Sequence, residues 1–334
     1  MNRPETREPG SAPVKQPAGR RAQEVIYGCM GLGGSWSPEP HSSAHVDEAA
    51  AAVDAALEAG ITLFDHADIY RGGKSEAVFG EVLAQTPGLR ERIRLQTKCG
   101  IRLNEQGLEG YYDLSRDAIL ARVNESLGRL RTDYVDVLML HRPDPLMDPA
   151  EVASAVGQLM AEGKVRALGV SNMSAAQIEL LQDRLETPVV ANQLEMSLFT
   201  RAWLESTVLV NHAEGTDYSF PHGTVEHCVR HGITVQAYGS LARGLYTGAP
   251  AAAPSAAEEA TAGLVAQLAA EKETTRESVL LGWLMKHPAG IAPVIGTARP
   301  DRIRACADAA GVAAAMTRAE WYRLWVTARG SNIP

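Results

Sequence analysis

Residues 134–171 read YVDVLMLHRPDPLMDPAEVASAVGQLMAEGKVRALGVS, a complete strand–helix–strand unit. Tyr134–His141 is a short β-rich run. Asp148, Pro149 and Glu151 then combine an N-cap, a proline at the first helical position and an acid at the third. Val152, Val156 and Leu159 follow at helical spacing, and Gly163 supplies the stop. A second β-rich run, Val165–Ser171, opens directly afterwards. Two strands joined by a helix in this way pair in parallel within an α/β fold.

The same rhythm extends in both directions. Glu24–Gly28, Gly60–Asp65 and Ile93–Lys98 are strand candidates before this unit, and Val189–Gln193, Ile233–Tyr238 and Ile291–Gly296 follow it. Asp47 stands ahead of an Ala-rich helical stretch with Val53, Ala56 and Leu57 on one face, closed by Gly60. Ser174 and Gln177 form a capping-box pattern before Ile178, Leu181 and Leu185. Eight strand–helix repeats in 334 residues predict a closed (β/α)8 TIM barrel rather than an open sheet.

That barrel occupies residues 23–334 as one domain. Residues 1–22 offer almost nothing to bury and read as a disordered tail. Residues 204–223, with Asn211, Gly215, Asp217, Ser219 and Pro221, read as a long loop, and the Ala/Pro-rich 248–257 as a flexible connection. Thr317–Thr327 predicts an extra C-terminal helix that packs through Trp321, Leu324 and Trp325.

A formal charge of −8 argues against nucleic acid as a partner. No apolar run approaches the ~18 residues of a membrane span, and the N-terminus lacks the apolar stretch of a secretory signal. The four cysteines, Cys29, Cys99, Cys228 and Cys306, are scattered without a C-x-x-C pair. A reduced, cytoplasmic protein without disulfides is expected.

In a barrel of this kind chemistry sits where the strands end. The second strand ends at Asp65, with Tyr70 five residues on; the third ends at Lys98 and the fourth at His141. Neighbouring strands thus deliver a carboxylate, a phenol, an ammonium and an imidazole to one rim. A tyrosine keeps its proton at neutral pH, and a nearby ammonium lowers its pKa toward the range of acid–base work. The carboxylate holds that ammonium, and the imidazole donates to a carbonyl oxygen. Singly, each residue also has a plain structural reading, as a cap, a packing aromatic or a strand end. Their coincidence at adjacent strand ends carries the functional reading.

With those residues in hand the chain resembles the aldo-keto reductase superfamily. The resemblance lies in Phe64-Asp65-His66-Ala67-Asp68-Ile69-Tyr70, Thr97-Lys98-Cys99-Gly100 and Leu140-His141-Arg142-Pro143-Asp144. Gly28-Cys29-Met30-Gly31-Leu32-Gly33 and His141 through Asp148 look most like its YdhF-like bacterial branch. The resemblance runs from about residue 24 to 334 and implies NADP(H)-dependent reduction of aldehydes or ketones. It makes Tyr70 the general acid, Lys98 its tuner, Asp65 the partner of Lys98 and His141 the group that orients the substrate.

It also implies a cofactor site. No G-x-G-x-x-G follows the first strand; instead the backbone of Gly28, Cys29 and Met30 approaches the nicotinamide end. Ser171, Asn172 and Gln193 are similar to residues that bond the carboxamide, and Tyr238 to the aromatic on which the ring stacks. Ser240, Leu241 and Gly244 match the loop along the pyrophosphate. At the adenosine end stand Gly296, Thr297, Arg299 and Arg302, where the arginines favour the 2′-phosphate that NADP carries and NAD lacks. The family often has an adenine-binding asparagine near the position of Cys306, so the resemblance does not imply that contact here. Trp36, Tyr111, Met196 and Trp203 are candidates for the substrate pocket.

Two other readings accompany this one. Some relatives hold the cofactor as channel subunits with little turnover, which makes a cofactor-binding regulatory protein the alternative. A barrel hydrolase lacks a second catalytic acid and a His-x-His ligand pair. His222, His227, His231 and Cys228 crowd before the seventh strand, but without an H-E-x-x-H pattern a solvated helix face is expected there and no metal. Substrate, reaction direction and oligomeric state are not written in these motifs.

Overall fold

Short runs of β-branched and aliphatic residues become strands because both faces are covered, by helices outside and by facing side chains within. The structure, a computed structural model, describes residues 24–105, 107–248 and 253–334. The expected tail, 1–22, lies outside the described residues, as does the middle of the 248–257 connection.

The strands are β1 (Ile26–Gly28), β2 (Leu63–Asp65), β3 (Arg94–Cys99), β4 (Ile101–Glu105), β5 (Leu108–Tyr112), β6 (Val137–Leu140), β7 (Leu168–Ser171), β8 (Val189–Glu195), β9 (Thr234–Tyr238) and β10 (Ala292–Ile295). Eight of them close a barrel in the order β1-β10-β9-β8-β7-β6-β3-β2, every neighbouring pair parallel. All eight expected strands are present. Most are shorter than expected, because composition marks extended chain while a ladder needs a partner in register: of Tyr134–His141 only Val137–Leu140 is strand, preceded by an isolated bridge between Val135 and Val165.

β4 and β5 form an antiparallel hairpin that was not expected. It turns through Asn104 and Gly107, both in the left-handed region, with φ of 54° and 76°.

The helix Pro149–Ala161 starts as its sequence indicates, with the Asp148 side chain accepting from the Ala150 N–H at 2.8 Å. Ser174 and Gln177 form the expected capping box. The Ala-rich helix begins earlier than expected, at Ser43, and Asp47 lies inside it. Ser42 is the N-cap, and its N–H donates to His45 Nδ1 at 3.0 Å.

The reading of 204–223 as loop is corrected. A helix, Ala202–Val208, covers its start and a 3-10 turn, Ala213–Asp217, follows. Burial of Trp203 and Leu204 drives it, and the buried Glu205 is met by partners from the C-terminal helix. The C-terminal helix, Arg318–Arg329, clamps it: Trp325 Nε1 and Arg329 Nε donate to the two Glu205 oxygens at 2.9 and 3.1 Å. Trp321 stacks on Trp283 at 5.2 Å, each indole N–H donating to the other's backbone carbonyl.

Alternation sorts the strand residues. Phe64 faces outward onto Tyr27 and Phe79, and Leu95, Leu138 and Val235 join the same outer core. Inward, Ile26, Leu63, Ala292 and Val294 form one small apolar layer. Above it the barrel is polar. A Cβ at Gly169 would meet the Met139 sulfur at 2.2 Å, so a larger residue there would displace the Met139 side chain. Among the described residues no helix is long and apolar enough to cross a membrane.

Candidate active site

Asp65, Gln96 and Lys98 are polar residues at inward positions near the ends of adjacent strands β2 and β3. Lys98 is fully buried, and its ammonium lies 2.7 Å from each Asp65 oxygen. It also donates to the His66 carbonyl at 2.9 Å and to the Tyr70 hydroxyl at 3.0 Å. Burial works to lower the Lys98 pKa, but the Asp65 carboxylate and the Tyr70 phenol outweigh it and hold the ammonium above its ordinary value.

Tyr70 is placed by a strained turn. Arg71, Gly72 and Gly73 follow it with φ of 54°, 66° and 87°. Glycine meets that demand freely, while Arg71 is tied down by its Nε donating to the Met30 carbonyl at 3.0 Å. The expected lowering of the Tyr70 pKa is corrected. Burial raises it above the ordinary tyrosine value, and the Lys98 ammonium offsets only part of that rise.

His141 follows β6, anchored by its N–H donating to the Cys99 carbonyl at 2.9 Å. Its ring lies edge-on to Tyr70, centroids 6.0 Å apart. Burial, then Lys98 and Arg142, depress its pKa well below the histidine range, so the imidazole is neutral. Nδ1 is buried without a hydrogen-bond partner. A buried lone pair costs less than a buried orphan N–H, so the proton belongs on Nε2. The four expected groups converge.

A second set meets beside them. Ser171 Oγ donates to the Gln193 carbonyl at 3.0 Å. Asn172, held at φ 58°, donates from Nδ2 to Ser171 Oγ at 2.8 Å and accepts from the Tyr238 hydroxyl at 3.0 Å. The Arg142 guanidinium, without an ion-pair partner among the described residues, donates to the same hydroxyl at 3.5 Å. Ser171, Asn172, Gln193, Tyr238 and His141 therefore share one mouth. Gly28 ends β1 close to β10, while the Cys29 side chain is buried in the outer core and Met30 is half-exposed. Cys29 as a whole is fully buried, its carbonyl accepting from Ser75 Oγ at 2.8 Å and from the Leu32 N–H at 3.0 Å.

Leu241 and Gly244 belong to a turn where Ala242, Arg243 and Gly244 have φ of 49°, 55° and 88°. Ser240 Oγ is committed to the Val294 carbonyl at 2.8 Å, tying that turn to β10. Beyond β10, Thr297 accepts from the Tyr27 hydroxyl at 3.0 Å through its carbonyl, and the short helix Pro300–Arg304 follows. Arg299 is paired with Asp301 at 2.7 Å, whereas Arg302 has no ion-pair partner among the described residues. Cys306 is buried in the core.

The pocket candidates divide. Trp36 is exposed beneath the Arg71 guanidinium, and Tyr111 lies on the β4–β5 hairpin that follows β3. Met196 and Trp203 are fully buried, Trp203 against Trp283 and His287, and are withdrawn as pocket residues. A bulky loop residue looks the same in sequence whether it packs down or up. His227 and His231 stack at 4.4 Å with Glu179 3.2 Å from His227, and Cys228 points into the core beside Asn192. Among the described residues no three such side chains are grouped to hold a metal.

Sequence reading missed Gln96 and Gln236, both buried inside the barrel. The signal was present: each is two residues before an expected site residue, Lys98 or Tyr238, and shares its face by the strand period.

A parallel barrel with an acid–base cluster beside an amide-lined cleft defines a class of oxidoreductase architecture. A sequence model described as the Aldo/keto reductase family matches residues 24–323, and the chain belongs to that family of nicotinamide-dependent oxidoreductases. A 6-dehydroglucose reductase of Agrobacterium fabrum is 35% identical, spanning 92% of this chain and 95% of its own. The oxidoreductase YdhF of Escherichia coli is also 35% identical, over 83% and 86%. Among solved structures, an aldo-keto reductase from Klebsiella pneumoniae in complex with NADPH superposes with a TM-score of 0.66 at 24% identity, covering 90% and 89%, and supports the fold.

Proposed function

We propose that this protein is a cytoplasmic NADP(H)-dependent reductase of small aldehydes or ketones. The observation that carries the reading is the Tyr70 hydroxyl at 3.0 Å from an ammonium clamped on both Asp65 oxygens. The reductase name of a relative covering nearly the whole chain supports reduction.

The residues present fit a nicotinamide dinucleotide. The Ser171, Asn172 and Gln193 polar atoms suit a carboxamide, and the Tyr238 ring beside them suits a flat heterocycle. Arg302, free of an acidic partner among the described residues, is the best-placed cation for a 2′-phosphate, and Arg299 joins it once Asp301 is released. NADPH, when bound, supplies the hydride.

His141 donates from Nε2 to the carbonyl oxygen and turns it toward the Tyr70 hydroxyl. Tyr70 gives that oxygen its proton as negative charge develops. The resulting phenolate faces the Lys98 ammonium, which stabilises it without moving, because Asp65 already holds the ammonium in place. The upward shift of the free phenol fits this role: Tyr70 stays protonated until the reaction supplies a strong base.

Tyr70→Phe is expected to cut turnover by about a hundredfold or more, the usual weight of a general acid. NADPH affinity, followed by fluorescence quenching, should stay within about twofold. Turnover retained in that variant would remove Tyr70 as the acid. A scan of aldehydes, ketones and quinones with NADPH and with NADH separates this reading from a cofactor-holding regulatory role, for which none would be turned over.

A further inference from the structure

A line of hydrogen bonds crosses the barrel interior from Asp65 to Gln193. Gln96 Nε2 donates to Asp65 Oδ1 at 2.6 Å and to Gln236 Oε1 at 3.0 Å. Gln236 Nε2 returns a bond to Gln96 Oε1 at 2.9 Å, and Gln193 Nε2 donates to Gln236 Oε1 at 2.9 Å. All four side chains are buried. Barrel interiors are ordinarily filled by branched aliphatic residues, which avoid desolvating amides. Two aliphatic residues at 96 and 236 would fill the same layer and leave Gln193 free to turn.

We infer that Gln96 and Gln236 are positioning residues that orient the Gln193 amide, so that its Oε1 rather than its NH2 faces the nicotinamide carboxamide. This rests on the reading above that Gln193 contacts that carboxamide. The two ends of a glutamine amide are alike in shape, so nothing but bonding selects one. Here selection starts at Asp65. Both of its oxygens accept from the Lys98 ammonium at 2.7 Å, so it presents acceptors only, which turns the Gln96 NH2 toward it. The second proton of that NH2 goes to Gln236 Oε1, and the Gln96 carbonyl takes a proton from Gln236. Gln236 Oε1 is thereby an acceptor and draws in the Gln193 NH2. Turning any one amide over sets donor against donor or acceptor against acceptor in a buried site.

The far end is where a ligand belongs. Gln193 Oε1 bonds to nothing among the described residues, yet it is not sealed from solvent as His141 Nδ1 is. An acceptor aimed at the cleft suits the NH2 of a carboxamide. The charge that holds Lys98 at the acid thus also sets the cofactor amide opposite it.

The test compares two ligands on the full-length protein: NADPH, and 2′-phospho-ADP-ribose, which lacks the nicotinamide. Gln236→Met is expected to weaken NADPH by about five- to tenfold, the worth of one neutral hydrogen bond, matching Gln193→Ala. Affinity for 2′-phospho-ADP-ribose should stay within about twofold. NADPH affinity retained in Gln236→Met but lost in Gln193→Ala overturns the inference, as does an equal loss for both ligands. An unaltered Gln193→Ala overturns instead the underlying contact. Should Gln236→Met fail to fold, Gln96→Met carries the same comparison, since it removes the donor that sets the direction of the line.

Discussion

Tyr70 and His141 have ordinary pKa values on either side of neutrality, and burial drives them further apart: the phenol upward, the imidazole well downward. Reduction requires the phenol protonated, so the active form exists below the Tyr70 pKa and is lost as pH rises through it. His141 is already neutral throughout the working range. The pH profile of reductive kcat/KM is therefore expected to be flat from about pH 6 to 9, falling only above the usual tyrosine range near 10. An inflection near pH 6.5 that disappears in His141→Gln would show a titrating imidazole and contradict this. The identities of the four convergent groups were legible in the sequence, because each ends a strand or follows one closely. The sign of the Tyr70 shift was not, since desolvation depends on what the fold stacks over a side chain.

At the scale of elements, the segment after β8 shows why a loop reading fails. Polar and glycine residues dominate 204–223, but Glu205 within its first turns is buried and holds Trp325 and Arg329. Removing Glu205 leaves the buried Trp325 N–H without its acceptor and Arg329 paired only with Glu214, Ser331 and Asn332. The unsatisfied donor costs about 1 to 3 kcal/mol. Glu205→Ala is expected to lose stability on that scale in urea unfolding, and a loss under ~1 kcal/mol would show that Trp325 finds another acceptor and that Glu214 suffices for Arg329. The short helix after β10 invites a second test. Arg302→Ala should weaken NADPH by about tenfold, as expected for a charged hydrogen bond, and leave NADH unchanged. Equal loss for both cofactors would place Arg302 away from the 2′-phosphate. The β4–β5 hairpin was readable in retrospect from Asn104 and Gly107, but its strands alternate too weakly to stand out beside the barrel strands.

Across the whole molecule, the closed barrel brings charges from several elements under one roof. Asp68 is buried, with neither oxygen hydrogen-bonded among the described residues and its nearest cation Arg122 Nε at 3.5 Å. Burial outweighs that cation and pushes its pKa from 3.8 up to about 7. The folded chain therefore holds a proton that the unfolded chain releases, and the associated stability is full below pH 3.8 and lost as pH rises through 7. Asp68→Asn keeps the shape without the charge. Its stability advantage over the parent should be larger at pH 8 than at pH 5 by roughly 2 to 3 kcal/mol. An advantage equal at both values would mean that Arg122 and its neighbours fully compensate the carboxylate.

Number and order of strands, their helices and the four reacting side chains follow from periodicity, caps and strand ends, which are local properties of the chain. Which loop tryptophan is buried, which way a phenol titrates, and that Gln96 meets Gln236 across the barrel interior are decided only on closure. Those contacts join residues up to 140 positions apart. No pattern within a strand records what will stand opposite it.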